Sequence, residues 1–90
     1  RILTIGSVQQ EKPHPQMITY AATKSAMVNM VKNLAIQLAK DGITVNNLAP
    51  GVIVTGRNEE ALADENYRKA VQAKVPAGFF GEPEDCAGLA

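Results

Sequence analysis

The feature that most constrains this chain is its order of hydrophobic segments: two short apolar runs stand on either side of a long stretch with helical period. Arg1-Ile2-Leu3-Thr4-Ile5-Gly6-Ser7 gathers Ile2, Leu3 and Ile5 into a run bounded by Gly6 and Ser7, and reads as a buried strand. Ile43-Thr44-Val45-Asn46-Asn47-Leu48-Ala49, ended by Pro50-Gly51, reads as a second strand. From about Met17 to Lys40, the residues Met27, Met30, Val31, Leu34, Ala35, Leu38 and Ala39 recur at steps of three and four, the period of a helix with one buried stripe. Gly42 is its expected stop, because glycine takes the left-handed conformation without steric penalty. A helix of this length rules out a hairpin, so the strands should be parallel and joined by a right-handed crossover. The expected fold class is α/β, part of a doubly wound parallel sheet.

The connecting segments fit that order. Ser7 to Gln16 is polar and contains Pro13 and Pro15, so it is expected to be a loop up to the start of the helix. Val52 to Thr55 opens a second loop. Asn58 to Ala73 is rich in Glu, Asp, Ala, Arg and Lys and suits one or two short, exposed helices, which Val75-Pro76 and Gly78 interrupt. Gly81-Glu82-Pro83-Glu84-Asp85 reads as a helix start, with Pro83 at the first helical position and acids in the first turn, where the helix dipole favours them.

Ninety residues allow one small domain with a thin core. The chain begins without Met at a strand-like run and stops at Gly88-Leu89-Ala90, so residues 1–90 are expected to be a fragment of a single domain. Nine Lys and Arg balance nine Asp and Glu, and the charges are scattered, which argues against nucleic acid or an anionic membrane surface as partner. No apolar run reaches the about eighteen residues of a membrane helix. One cysteine, Cys86, cannot form an internal disulfide, and a cytoplasmic location is the default expectation. One His and one Cys far apart make no metal site.

The chemistry is expected where the two periodicities meet. Tyr20 and Lys24 stand at i and i+4, on one helix face. A phenol is a poor base at neutral pH, but an adjacent ammonium favours the phenolate and brings proton transfer nearer its working range. Ser7, thirteen positions before Tyr20 and at the end of the first strand, is carried to the same place by the crossover. It can hydrogen-bond a substrate oxygen beside the Tyr20 hydroxyl. Such a trio suits carbonyl and alcohol redox chemistry. A Tyr and a Lys four apart are also a common pairing of an amphipathic ring with a solvated charge, so the ensemble of strand, serine, helix and second strand carries the reading.

That ensemble, Gly6-Ser7, Tyr20-Ala21-Ala22-Thr23-Lys24 and Asn46-Asn47-Leu48-Ala49-Pro50-Gly51-Val52-Ile53-Val54-Thr55, resembles the short-chain dehydrogenase/reductase family over nearly all 90 residues. The resemblance implies a partial Rossmann-like, doubly wound fold and NAD or NADP as cofactor. It implies that Tyr20 is the acid/base, that Ser7 orients the substrate oxygen, and that Lys24 both tunes Tyr20 and holds the nicotinamide ribose. Pro50-Gly51 matches the family's Pro-Gly motif, with Ile53 offering backbone groups to the nicotinamide carboxamide and Thr55 a hydroxyl to the cofactor. Pro50-Gly51 is equally a common turn dipeptide, and Thr55 a loop cap. The Gly-rich turn that receives the pyrophosphate does not occur in this sequence, nor does the family's catalytic Asn. The isolated piece is therefore expected to be inactive, with activity belonging to a longer parent chain.

The expected substrate is a small carbonyl or alcohol, either a 3-oxoacyl-carrier type or a sugar or polyol. Arg57, Asn58 and Glu59 could meet a polar substrate or only solvate the loop. Val52-Ile53-Val54 and Phe79-Phe80 could wall an apolar pocket or complete a thin core. Ala21, Ala22 and Ala26 allow close helix approach, which suits a homo-oligomer through helix 17–40, although alanine is also simply a good helix former. A hydrolase built on Ser7 and His14 lacks the GxSxG elbow. The stronger rival keeps the fold without the chemistry, as a nucleotide- or partner-binding relative.

Overall fold

The computed structural model describes residues 1–90, which divide into two compact units, Arg1–Pro50 with Ala90 and Gly51–Leu89. In the first unit, strand β1 (Ile2–Ile5) leads through a 3₁₀ turn at Val8–Gln10 into helix α1 (Ile18–Leu38), and the chain returns as strand β2 (Val45–Leu48). The strands pair in parallel, with Ile2 opposite Val45, Leu3 opposite Asn46, Thr4 opposite Asn47 and Ile5 opposite Leu48. Backbone bonds from Ile2 N to Thr44 O and from Gly6 N to Leu48 O extend the ladder at both ends. This is the parallel strand-helix-strand order that the periodicity demands.

Helix α1 begins one residue later than the spacing predicts, at Ile18, and its last turn tightens to 3₁₀ at Ala39–Asp41. Gly42 then ends it in the left-handed conformation, φ 71°. Its inward stripe runs Tyr20, Ala21, Lys24, Met27, Val28, Val31, Leu34, Ala35 and Leu38, all buried or half-buried. Met30 and Ala39, expected on that stripe, are exposed. The stripe thus carries Tyr20 and Lys24 on the packed face of the helix, at its N-terminal end.

The first strand corrects the expectation of burial. Ile2, Leu3 and Ile5 are 41%, 42% and 52% exposed, because the only strand beside β1 is β2 and helix α1 packs against β2 more than against β1. The second strand is shorter than the apolar run, and in it only Val45 is buried. The loop after Ser7 is not wholly irregular, since it contains the 3₁₀ turn.

In the second unit, a parallel bridge joins Ile53 to Gly81, with Val54 N bonded to Gly81 O and Gly81 N to Val52 O. Two short helices follow the Thr55 loop, α2 (Glu59–Ala63) and α3 (Glu65–Gln72). The Asp64 carboxylate caps α3 by accepting from Asn66 N and Tyr67 N. Leu62 and Phe80 are buried, and Phe79 is exposed. Pro83–Cys86 forms a 3₁₀ turn with Pro83 at its start and Glu84 and Asp85 in the first turn, so the expected start signal works but only one turn results.

Candidate active site

Ser7 ends β1 in an extended conformation, and its hydroxyl caps the 3₁₀ turn by accepting from Gln9 N at 3.2 Å. The residue is buried, and the cap leaves the hydroxyl hydrogen available to donate. Val8 N donates to Pro50 O at 3.0 Å, which brings the Pro50 turn against the Ser7 turn. Gln9 Nε2 donates to Met17 Sδ at 3.2 Å and Ser25 Oγ to Gln10 O at 3.0 Å, so the turn is tied to the first two turns of α1.

On that part of α1, Lys24 Nζ lies 5.6 Å from the centre of the Tyr20 ring. The same ammonium donates to Ile5 O at 2.9 Å, two residues before Ser7. The helical period sets Lys24 beside Tyr20, and the crossover sets the Lys24 ammonium beside the carboxyl end of β1. A hydrogen-bond donor on a strand end, a phenol and an ammonium are thereby gathered in one unit. The carboxyl ends of parallel strands are where open α/β sheets present their ligand crevice.

Gln10 is a residue of this site that the motif spacing does not single out. Its Oε1 accepts from Asn47 Nδ2 at 2.9 Å and from Ser7 N at 3.4 Å. Asn47 Oδ1 in turn accepts from Thr4 Oγ1 at 2.7 Å. The Ser7-Val8-Gln9-Gln10 sequence carries the S-x-x-Q signature of a capping box, a signal that could have found the local half of this link. His14 sits apart in the loop, where its Nδ1 accepts from Gln16 N at 3.2 Å. No group of three or more His, Cys, Asp and Glu side chains is arranged to hold a metal ion.

In the second unit, the Asn58 carboxamide spans the Ile53–Thr55 segment. Its Nδ2 donates to Ile53 O at 2.8 Å, while its Oδ1 accepts from Thr55 N at 2.8 Å and from Thr55 Oγ1 at 3.4 Å. Arg57 lines an open cleft of about 510 Å³ with Glu60, Ala61, Asp64 and Tyr67. Gly51 is exposed, with open space where a side chain would stand.

A family model described as enoyl-(acyl carrier protein) reductase matches residues 1–90. A 3β-hydroxysteroid dehydrogenase of Eggerthella lenta is 39% identical over 89 residues, covering 99% of this chain and 34% of that protein. The chain belongs to the short-chain dehydrogenase/reductase family. A gluconate 5-dehydrogenase of Gluconobacter oxydans is 37% identical over 90 residues, all of this chain and 35% of that one.

Among solved structures of short-chain dehydrogenases/reductases, a 3-oxoacyl-(acyl-carrier-protein) reductase of Agrobacterium tumefaciens with NADP bound superposes with a TM-score of 0.92 at 35% identity, over 99% of this chain and 35% of that one. A gluconate 5-dehydrogenase of Burkholderia cenocepacia, in complex with NADP and tartrate, gives a TM-score of 0.90 at 34% identity, over 98% and 34%. The chain therefore has a partial Rossmann-type α/β fold and spans about a third of the length of these relatives. No helix is long and apolar enough to cross a membrane.

Of the residues that the family resemblance assigns to a nicotinamide cofactor, Ile53 and Thr55 present backbone groups suited to a carboxamide. Ile53 O and the Thr55 backbone N–H already hold a primary carboxamide, that of Asn58, and a nicotinamide presents the same donor and acceptor pair.

Proposed function

We propose that the full-length protein containing this chain is an NAD(P)-dependent oxidoreductase that interconverts a carbonyl and an alcohol, with Tyr20 as acid/base. The observation that carries this reading is the Lys24 ammonium, which joins the Tyr20 ring to the strand end that presents Ser7. NAD or NADP, when bound, supplies or accepts the hydride. In reduction, Ser7 donates its free hydroxyl hydrogen to the substrate oxygen and Tyr20 delivers the proton to that oxygen as the carbonyl carbon takes up hydride. Lys24 holds positive charge beside the phenol as it loses its proton. Oxidation of the alcohol is the reverse, with Tyr20 taking the proton. Pro50, Gly51, Ile53 and Thr55, with Tyr20 and Lys24, are the residues that would hold the cofactor.

Substrate choice belongs to the segments after Ser7 and after Thr55. The guanidinium, carboxylates and phenol around the Arg57 cleft favour a polyhydroxylated substrate of the sugar or polyol class, with a 3-oxoacyl carrier as the second reading. The chain is one part of a single dinucleotide-binding domain, and its free Cys86 suits a reducing, cytoplasmic setting. The outward face of α1, with Ile18 76% and Ile36 80% exposed, is where a second copy would pack in a homo-oligomer.

The test is turnover by the full-length protein, followed through the absorbance of the reduced nicotinamide, on a panel of sugars, polyols, ketones and 3-oxoacyl thioesters. Tyr20→Phe is expected to lower kcat by about 10²- to 10⁴-fold, the range for loss of a positioned acid/base, while cofactor still quenches or enhances fluorescence as in the unmodified protein. Undiminished turnover removes Tyr20 from the acid/base role. Cofactor binding with no turnover on any of the panel would point instead to a nucleotide-binding relative without chemistry.

A further inference from the structure

We infer that Gln10 is the positioning residue of Ser7, acting with Asn47 and Thr4 to hold the serine in place; the catalytic consequence rests on the role proposed for Ser7 above. Thr4 and Asn47 face each other across the strand pair, and the Thr4 hydroxyl donates to Asn47 Oδ1 at 2.7 Å. Asn47 Nδ2 donates to Gln10 Oε1 at 2.9 Å, and the same oxygen accepts from the Ser7 backbone N–H at 3.4 Å. The link runs from the middle of β1 across to β2 and back to the residue that ends β1.

Two further observations fix this arrangement. A Cβ at Gly6 would strike Gln10 Oε1 and come within 2.6 Å and 2.8 Å of the Asn47 amide nitrogen and oxygen. Both carboxamides thus lie directly on the Gly6 backbone, in space that only glycine leaves open. The strand pair does not need this link, because four register pairs and the backbone bonds from Ile2 N and Gly6 N already hold β1 to β2. What the side chains add is a hold on the turn beyond the strand, where Ser7 stands.

The chemistry of the link identifies the part of Gln10 that matters. Both groups meeting Oε1 are donors, so the position needs an acceptor and not an amide as such. Glutamate can serve there and leucine cannot. A residue that only fills space would show the opposite order.

The experiment uses the full-length protein with Gln10→Leu and Gln10→Glu, reading amide hydrogen exchange over residues 6–10 and, separately, kcat and the KM for cofactor. Gln10→Leu is expected to speed exchange at Ser7 about tenfold, the scale of one lost hydrogen bond. It is also expected to lower kcat about tenfold, with the cofactor KM unchanged. Gln10→Glu is expected to restore both readouts. Unchanged exchange at Ser7 in Gln10→Leu overturns the inference, and so does failure of Gln10→Glu to rescue. Faster exchange with unchanged kcat overturns the catalytic role. Absence of turnover in the unmodified protein overturns the proposed function, and the exchange measurement then still decides whether Gln10 holds Ser7. Should Gln10→Leu not fold, Asn47→Val reaches the same link from β2 with a strand-favouring residue, and the same exchange and kcat outcomes apply.

Discussion

Lys24 is the residue on which the candidate site of the first unit converges. Its stem lies on the inward stripe of α1, its ammonium is 2.9 Å from Ile5 O, and its charge stands over the Tyr20 ring. Lys24→Met keeps the stem and removes the donor and the charge. On the proposed reaction it should lower kcat by about 10²-fold or more, the lower end of what acid/base assistance contributes, while far-UV circular dichroism stays unchanged. Lys24→Arg should not restore the rate, because a planar guanidinium cannot reproduce a compact ammonium that bonds one carbonyl and also stands over a ring. Full activity in Lys24→Met would remove the residue from the mechanism. Tyr20 and Lys24 were legible in the sequence because the helical period alone makes i and i+4 neighbours. Ser7 needed one more step, the crossover. Gln10 escaped because its partner Asn47 is 37 positions away, and a side-chain bond across two strands leaves no local pattern.

At the scale of elements, α1 presents two different surfaces that the same apolar residue types fill. Val31 is buried on the inner stripe, whereas Ile36 is 80% exposed and lies five turns from Ile18 on the same outer line. Val31→Ala should cost about 1–3 kcal/mol in the full-length protein, as expected for methyl groups removed from a packed site. Ile36→Asp should leave the monomer's stability within about 0.5 kcal/mol but shift a homo-oligomer toward monomer in sedimentation velocity. An unchanged sedimentation profile would place any assembly on another surface. The order of elements could be read from the sequence because period and Gly or Pro punctuation are local properties. Exposure of β1 could not, since the Ile2, Leu3 and Ile5 side chains are buried or open according to what stands beside the strand. The Asn58 loop gives a second test at this scale. If its carboxamide holds the groups that a nicotinamide would use, Asn58→Ala should tighten cofactor binding about fivefold, roughly 1 kcal/mol for hydrogen bonds that no longer have to be exchanged. Weaker binding in that variant would mean that Asn58 instead keeps the loop in its binding shape.

The whole molecule has little interior. Val31 and Val45 are the buried apolar residues of the first unit, Leu62 and Phe80 those of the second, and no large side chain is completely enclosed. Ile2, Leu3, Ile5, Val8, Ile18, Ile36 and Phe79 are apolar side chains that stand open to solvent. Both edges of the sheet are also unpaired by other strands, because β1 and β2 have only each other. Burial of so few side chains is a weak counterweight to the conformational entropy lost by 90 residues. The isolated 90-residue chain should therefore bind a hydrophobic dye and melt over a broad range without coincidence between circular dichroism and fluorescence. The full-length protein should melt in one sharp step that NADP shifts upward, as any ligand specific for the folded state must do. A sharp, concentration-independent and coincident transition in the 90-residue chain would mean that its two small cores suffice. In that case the open apolar residues would be surface features of a self-standing unit and not the inner face of a larger fold.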